Sequence, residues 1–303
     1  MARPRTTLVL GAGASVAYGF PLGTDLRRRI IHIGSEGDIS NSLGMGTRSI
    51  REFADVFHRA GSFSIDFFLG RRLQYEEIGK RAIAYVISSC EKQANLFAEE
   101  GDQWYQYLTN LLAAESWTEF DPSWLSIVTF NYDRSLEVYL AESLRHTYGK
   151  TTSEIVARLK SMQIVHVYGS LGSPWEGAAD HMPFSLPDEL RSEFIPQAAS
   201  RIQVIPEGRN DSATIVEARR LLLEAERICF LGFGFDETNV ERLGAPAFMQ
   251  NASNKRLVGT RRGLTDARVS RIASKLFGKD VLLAPSLMSL NCWPLLQETL
   301  ILE

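Results

Sequence analysis

The sequence predicts an α/β protein built on a doubly wound, mostly parallel sheet, with a large helical insertion after the first strand. Two observations carry this. Short apolar runs rich in β-branched residues recur along the chain, each followed by a turn signal and a helical pattern. Strands of that kind, separated by helices, belong to parallel sheets covered on both faces, joined by right-handed crossovers. The interval between the first and second runs is far longer than one crossover and reads almost entirely as helix.

Strands are expected at Thr6 to Leu10, Ser126 to Thr129, Gln163 to Val167, Arg227 to Gly232, Lys255 to Gly259 and Asp280 to Leu283, with a further one at Ile202 to Ile205. Residues 1–30 and 120–303 then form the sheet domain, and 31–119 the insertion. Within and beside the insertion, Asp25 to Ile33 and Ser49 to Arg59 read as helices separated by a flexible Gly- and Ser-rich loop, Gly34 to Gly46. From Tyr75 to Glu99, the positions Ile83, Val86, Ile87 and Cys90 fall at i, i+3, i+4 and i+7, one face of a long helix. Gly101-Asp102 breaks it, and another helix follows through Trp104, Leu108 and Leu111. A second irregular stretch, rich in proline and glycine, runs from Gly172 to Pro196.

Composition narrows the function classes. Against 36 acidic residues stand 33 Lys and Arg, a formal charge of −3, and 45% of residues are hydrophobic. That is globular composition with a sizeable core, which excludes disorder and fibrous repeats. It also speaks against gripping nucleic acid by bulk charge. Cys90, Cys229 and Cys292 lie far apart with no paired ligand spacing, so neither a metal site nor a disulfide framework is expected. The apolar run Leu8 to Leu10 is too short for a signal peptide, and no run approaches the ~20 residues of a membrane span. A cytoplasmic protein without membrane contacts is the expectation.

The candidate chemistry lies at strand ends, because ligands of open parallel sheets bind at the carboxyl edge. The first strand runs into Gly11-Ala12-Gly13-Ala14-Ser15, then Gly19-Phe20-Pro21 and a helix near Asp25. Small residues there let backbone amides approach a pyrophosphate, although a tight structural turn uses the same residues. The GxGxxG fingerprint is incomplete, with Val16 at its third glycine position. The second strand ends Thr129-Phe130-Asn131-Tyr132-Asp133, where Asn131 or Asp133 serves either a ligand or a helix cap. The third ends His166-Val167-Tyr168-Gly169-Ser170, and period-two alternation puts His166 and Tyr168 on one face, toward the crevice. The fourth ends Gly232-Phe233-Gly234-Phe235-Asp236, a second glycine-rich turn. The fifth ends with Thr260, placed to meet a ribose hydroxyl.

In this order, GAGAS…GFP, TFNYD, HVYGS and GFGFD resemble the SIR2-like, or sirtuin-like, family, and most of all the bacterial domains of that family attached to phage-defence systems. The likeness covers residues 6 to 30 and 120 to 285, a Rossmann-like frame; in the insertion it extends to Ser64-Ile65-Asp66-x-Phe68-Leu69. It implies a protein that takes NAD, or an ADP-ribose-type nucleotide, as substrate or ligand, with no metal. Gly11, Ala12, Gly13 and Ser15 would hold the pyrophosphate, and Pro21 would cover the nicotinamide side. Asn131 would orient the nicotinamide ribose or a water, and Asp133 the carboxamide. Gly232, Phe233 and Gly234 would line the phosphate path, with Thr260 on the adenosine side. The implied reaction is cleavage of the nicotinamide glycosidic bond, with capture of an oxocarbenium-like ribose by water and a histidine of the His-Gly-Ser motif as base. Implied partners are a further copy of the chain, or a sensor protein of a defence system.

The sequence departs from that pattern at one position. Tyr168 stands before Gly169-Ser170, where the family carries its histidine, and a phenol of ordinary pKa near 10 is a poor base at neutral pH. His166 lies two residues upstream, roughly 6.5 to 7 Å away on a strand. Two readings follow: an NAD+ hydrolase in which Asn131, Asp133, His166 and Tyr168 are the catalytic candidates, or a catalytically silent NAD or ADP-ribose binder acting as sensor or scaffold. The zinc-binding cysteine module of sirtuin deacylases is missing, so protein deacylation is set aside.

Overall fold

Thr6–Leu10 forms β1, and every residue of it is buried. A strand without a polar face belongs inside a sheet covered on both sides. The computed structural model of the chain, which describes residues 3–35, 39–205, 212–245, 247–249, 255–277 and 286–303, places β1 there. Around it lie β2 (Leu125–Thr129), β3 (Gln163–His166), β4 (Arg227–Leu231), β5 (Arg256–Thr260) and β6 (Ser286–Met288). The six run parallel in the order β3-β2-β1-β4-β5-β6. This is the Rossmann-like doubly wound arrangement that the alternation predicts. The chain builds outward on one side of β1, returns past it and builds on the other, so loops leaving β1 and β4 diverge and open a crevice. Leu10 pairs with both Thr129 and Leu231, and Thr129 with His166, which sets four strand ends level at that edge.

Two expected strands fall elsewhere. Asp280 to Leu283 lies outside the described residues; the sixth strand described is Ser286–Met288. Ile202 to Ile205 is not a strand: it passes the end of β3 with a single backbone bond there, Gln203 N donating to the Tyr168 carbonyl at 2.8 Å.

Between β1 and β2 the chain is helical, as expected, with corrected bounds. Gly23–Ile33 and Thr47–Arg59 are helices. The Gly34 to Gly46 stretch is not loop throughout, because Ser40–Leu43 closes a helical turn that buries Leu43. The long helix runs over Glu76–Cys90 and stops well before Glu99. Its four predicted positions are buried, but Glu91 leaves the helical path and pairs with Arg134, both side chains almost wholly buried. Arg134 also donates to the carbonyls of Gly172 (3.2 Å) and Met182 (2.6 Å), joining the insertion to the irregular segment beyond β3. That segment is shorter than expected: Arg191–Arg201 is a helix despite Pro196, since it buries Ile195, Ala198 and Ala199 and packs on Glu76–Cys90. Trp104–Leu112 completes the insertion, with the Trp104 indole donating to the Ala14 carbonyl at 2.8 Å.

One short helix, Ile65–Arg71, bears directly on the site. Ser64 caps it, its hydroxyl accepting from Asp66 N at 3.1 Å. Phe68 anchors it among Phe53, Phe57 and Tyr75, with the Phe57 and Phe68 ring centroids 4.9 Å apart. Aromatic packing in the insertion thus fixes Asp66 over the crevice. Among the described residues no helix is long and apolar enough to cross a membrane.

Candidate functional site

At the switch point between β1 and β4, roofed by the insertion, lies a cavity of about 370 Å³. Small-molecule sites occupy roughly 300 to 1,000 Å³. Its floor is made by two glycine turns locked together. Gly11 N donates to the Leu231 carbonyl and Gly13 N to that of Gly232, each at 3.0 Å. A Cβ on Gly232 would stand 2.0 Å from Ala14 N, and its φ of +58° is one that other residues rarely adopt. The structural reading of these glycines therefore holds: they are small because the two turns touch. The ligand reading survives in the amides left over. Ala12, Phe233 and Gly234 line the cavity, and their N–H groups have no partner among the described residues. Phe235 beside them is held at φ +49°, strain of the kind that gathers at functional sites. Thr260 does not line the cavity; its hydroxyl accepts from Gly232 N at 2.8 Å and sets the turn from behind.

Asn131 and Asp133 both line the cavity. Asp133, one residue before the N-cap Arg134, is tied to the helix start: one carboxylate oxygen accepts from Ser135 N (3.2 Å) and from its hydroxyl. Burial raises its pKa. Asn131 caps nothing. Its amide nitrogen donates to the Gly11 carbonyl and to Ser15 Oγ, both at 3.0 Å, and no described residue donates to its Oδ1. With both N–H bonds spent on the loop, Oδ1 keeps its acceptor capacity. Ser15 and Pro21 line the cavity as well.

The expected pairing of His166 and Tyr168 fails, because β3 ends at His166 and the alternation ends with it. A turn follows, with Gly169 at φ +75° and its Cα so near the Arg201 carbonyl that a Cβ would be 2.0 Å from it. His166 lies outside the cavity, its ring donating to the Asn131 carbonyl (2.9 Å) and the Glu137 carboxylate (2.7 Å). Burial opposes its charge, but these two acceptors offset that and hold its pKa above the ordinary value. Gly169 and Ser170 do not line the cavity either. Tyr168 does. Its hydroxyl donates to Asn239 Oδ1 at 2.5 Å and accepts from Arg242, and burial together with nearby Asp66 pushes its pKa further up.

Polar lining residues for which the strand ends gave no expected role include Ser64 and Asp66 from the insertion, Tyr132, Asn239 and Arg242. The Tyr132 hydroxyl donates to Asp66. Arg242 reaches Tyr168 and the Ile205 carbonyl (2.7 Å), and its buried Nε has no partner among the described residues. Asn239 and Arg242 sit three apart on one helix face, a spacing that could have flagged them. Asp66 was visible only within the Ser64-Ile65-Asp66 stretch.

The chain matches no protein-family model and no curated protein.

Proposed function

We propose that this chain is a sirtuin-like NAD+ hydrolase that cleaves the bond between nicotinamide and ribose. The observation that carries the reading is Asn131, an amide that lines the cavity, whose nitrogen is committed to the glycine loop and whose oxygen accepts from no described residue. The unpaired amides of Ala12, Phe233 and Gly234 suit phosphate oxygens, which amides bind without fixed positive charge. In that pose, Asn131 Oδ1 accepts from a ribose hydroxyl or from the attacking water. Positioning of this kind supplies much of the acceleration in reactions with dissociative transition states. A role as effector in a bacterial defence system follows from the family resemblance.

A second reading, a silent binder of NAD or ADP-ribose, draws on Tyr168. A phenol that donates to Asn239, accepts from Arg242 and is pushed up in pKa does not serve as a base. Chromatography of NAD incubated with the protein separates the two: nicotinamide release supports the hydrolase, and binding of ADP-ribose by calorimetry without release supports the binder.

A further inference from the structure

Hydrolysis needs a group to take the proton of the attacking water, and Tyr168 does not qualify. Among the described residues, three carboxylates line the cavity, those of Asp66, Asp133 and Asp236. Asp133 is tied into a helix start by Ser135, and Asp236 caps the next helix by accepting from Asn239 N at 3.2 Å. Asp66 also stands in a first helical turn, but it differs from both in the groups that hold its oxygens. It hangs over the crevice from the insertion, on the side where Tyr168 occupies the histidine position, and its partners there are hydroxyls, Tyr132 on one oxygen and Ser64 on the other at 3.3 Å. The Tyr132 and Tyr168 rings are 6.3 Å apart, which brings Asp66 and Tyr168 to the same wall.

We infer that Asp66, delivered by the helical insertion, is the general base of this site, an inference resting on the hydrolase reading. Water attacks the anomeric carbon as the carbon–nitrogen bond breaks. Nicotinamide departs with the bonding pair as a neutral molecule, and the water proton passes to the Asp66 carboxylate, then to solvent. NAD+ and water thus give ADP-ribose, nicotinamide and a proton. The insertion, which supplies the base, thereby becomes part of the catalytic unit.

The groups facing Asp66 are Tyr132 after β2, Tyr168 after β3 and Arg242 from the helix after β4. Burial raises the Asp66 pKa above the ordinary carboxylate range, opposed by the hydroxyls of Tyr132 and Ser64 and by Arg242. A base must be ionised, so activity is lost as pH falls through this raised value. Tyr132→Phe removes a donor that favours the ionised form and moves the acidic limb to higher pH.

The test measures nicotinamide release by wild type, Asp66→Asn and Tyr132→Phe across the acidic and neutral range, beside calorimetry with ADP-ribose. The expected result is a fall in kcat of roughly 10²- to 10⁴-fold for Asp66→Asn with ADP-ribose still bound, and an acidic limb displaced upward in Tyr132→Phe. If Asp66→Asn does not fold, the Tyr132→Phe limb decides alone. Wild-type turnover by Asp66→Asn, or an unmoved limb in Tyr132→Phe, overturns the role of Asp66 and leaves the hydrolase standing. A wild type that binds ADP-ribose but releases no nicotinamide overturns both.

Discussion

Asn131 and Gly11, 120 residues apart in sequence, are joined by a 3.0 Å hydrogen bond from the side-chain amide to the backbone carbonyl. The bond couples the end of β2 to the first glycine of the loop after β1. It makes Asn131, a cavity-lining amide, part of the loop that shapes the cavity floor. His166 supports the pair from behind through the Asn131 carbonyl.

The glycine turns make a direct stability prediction. Gly232→Ala puts a methyl against the Ala14 backbone at an unfavourable φ, where neither partner can yield. Strain and overpacking together cost about 2 to 6 kcal/mol. Gly234→Ala meets nothing within 4 Å and is the control. Urea denaturation should show a large loss for the first and little for the second; equal losses would refute the interlocked floor.

His166 predicts a pH dependence of stability. Its pKa is raised in the folded state, so its contribution is fully present below the unfolded value of about 6.5 and is lost as pH rises through the folded value. Stability measured by denaturation should therefore decline over that window, and His166→Gln should flatten the decline. An unchanged slope would mean that the Glu137 contact does not hold the charged ring.

Tyr168 predicts a dissociation of stability from activity. Tyr168→Phe deprives Arg242 and Asn239 of a partner, at a cost of about 1 to 3 kcal/mol, yet it removes no base. Nicotinamide release should stay close to wild type while the melting temperature drops. A loss of turnover in a folded variant would return Tyr168 to the reaction.

The frame of the fold was legible because it is written in local patterns. Thr6 to Leu10 reads as a wholly buried strand and is one, and Ile83, Val86, Ile87 and Cys90 share the buried face that their spacing implies. At two places where the sequence misled, a tertiary partner had intervened. Arg134 draws Glu91 out of the helix, and packing on Glu76–Cys90 carries a helix through Pro196. The strand-end residues of the site could be found by position, since a parallel sheet gathers its carboxyl ends at one edge. Asp66 and Arg242 lie off the strand ends, the first in the insertion and the second at the end of the helix Glu237–Arg242, so position along the sheet did not point to them. His166 failed for a local reason, a turn at Gly169 that ends the alternation.

The measurement that bears most directly on the account is nicotinamide release from NAD by wild type and by Asn131→Ala at matched concentration, with ADP-ribose binding followed in both. Release by the wild type and a loss of roughly 10²-fold or more in a folded Asn131→Ala protein is the predicted result. Release at the same rate by both would contradict the role of Asn131, and a wild type that binds ADP-ribose but leaves NAD intact would contradict the hydrolase itself.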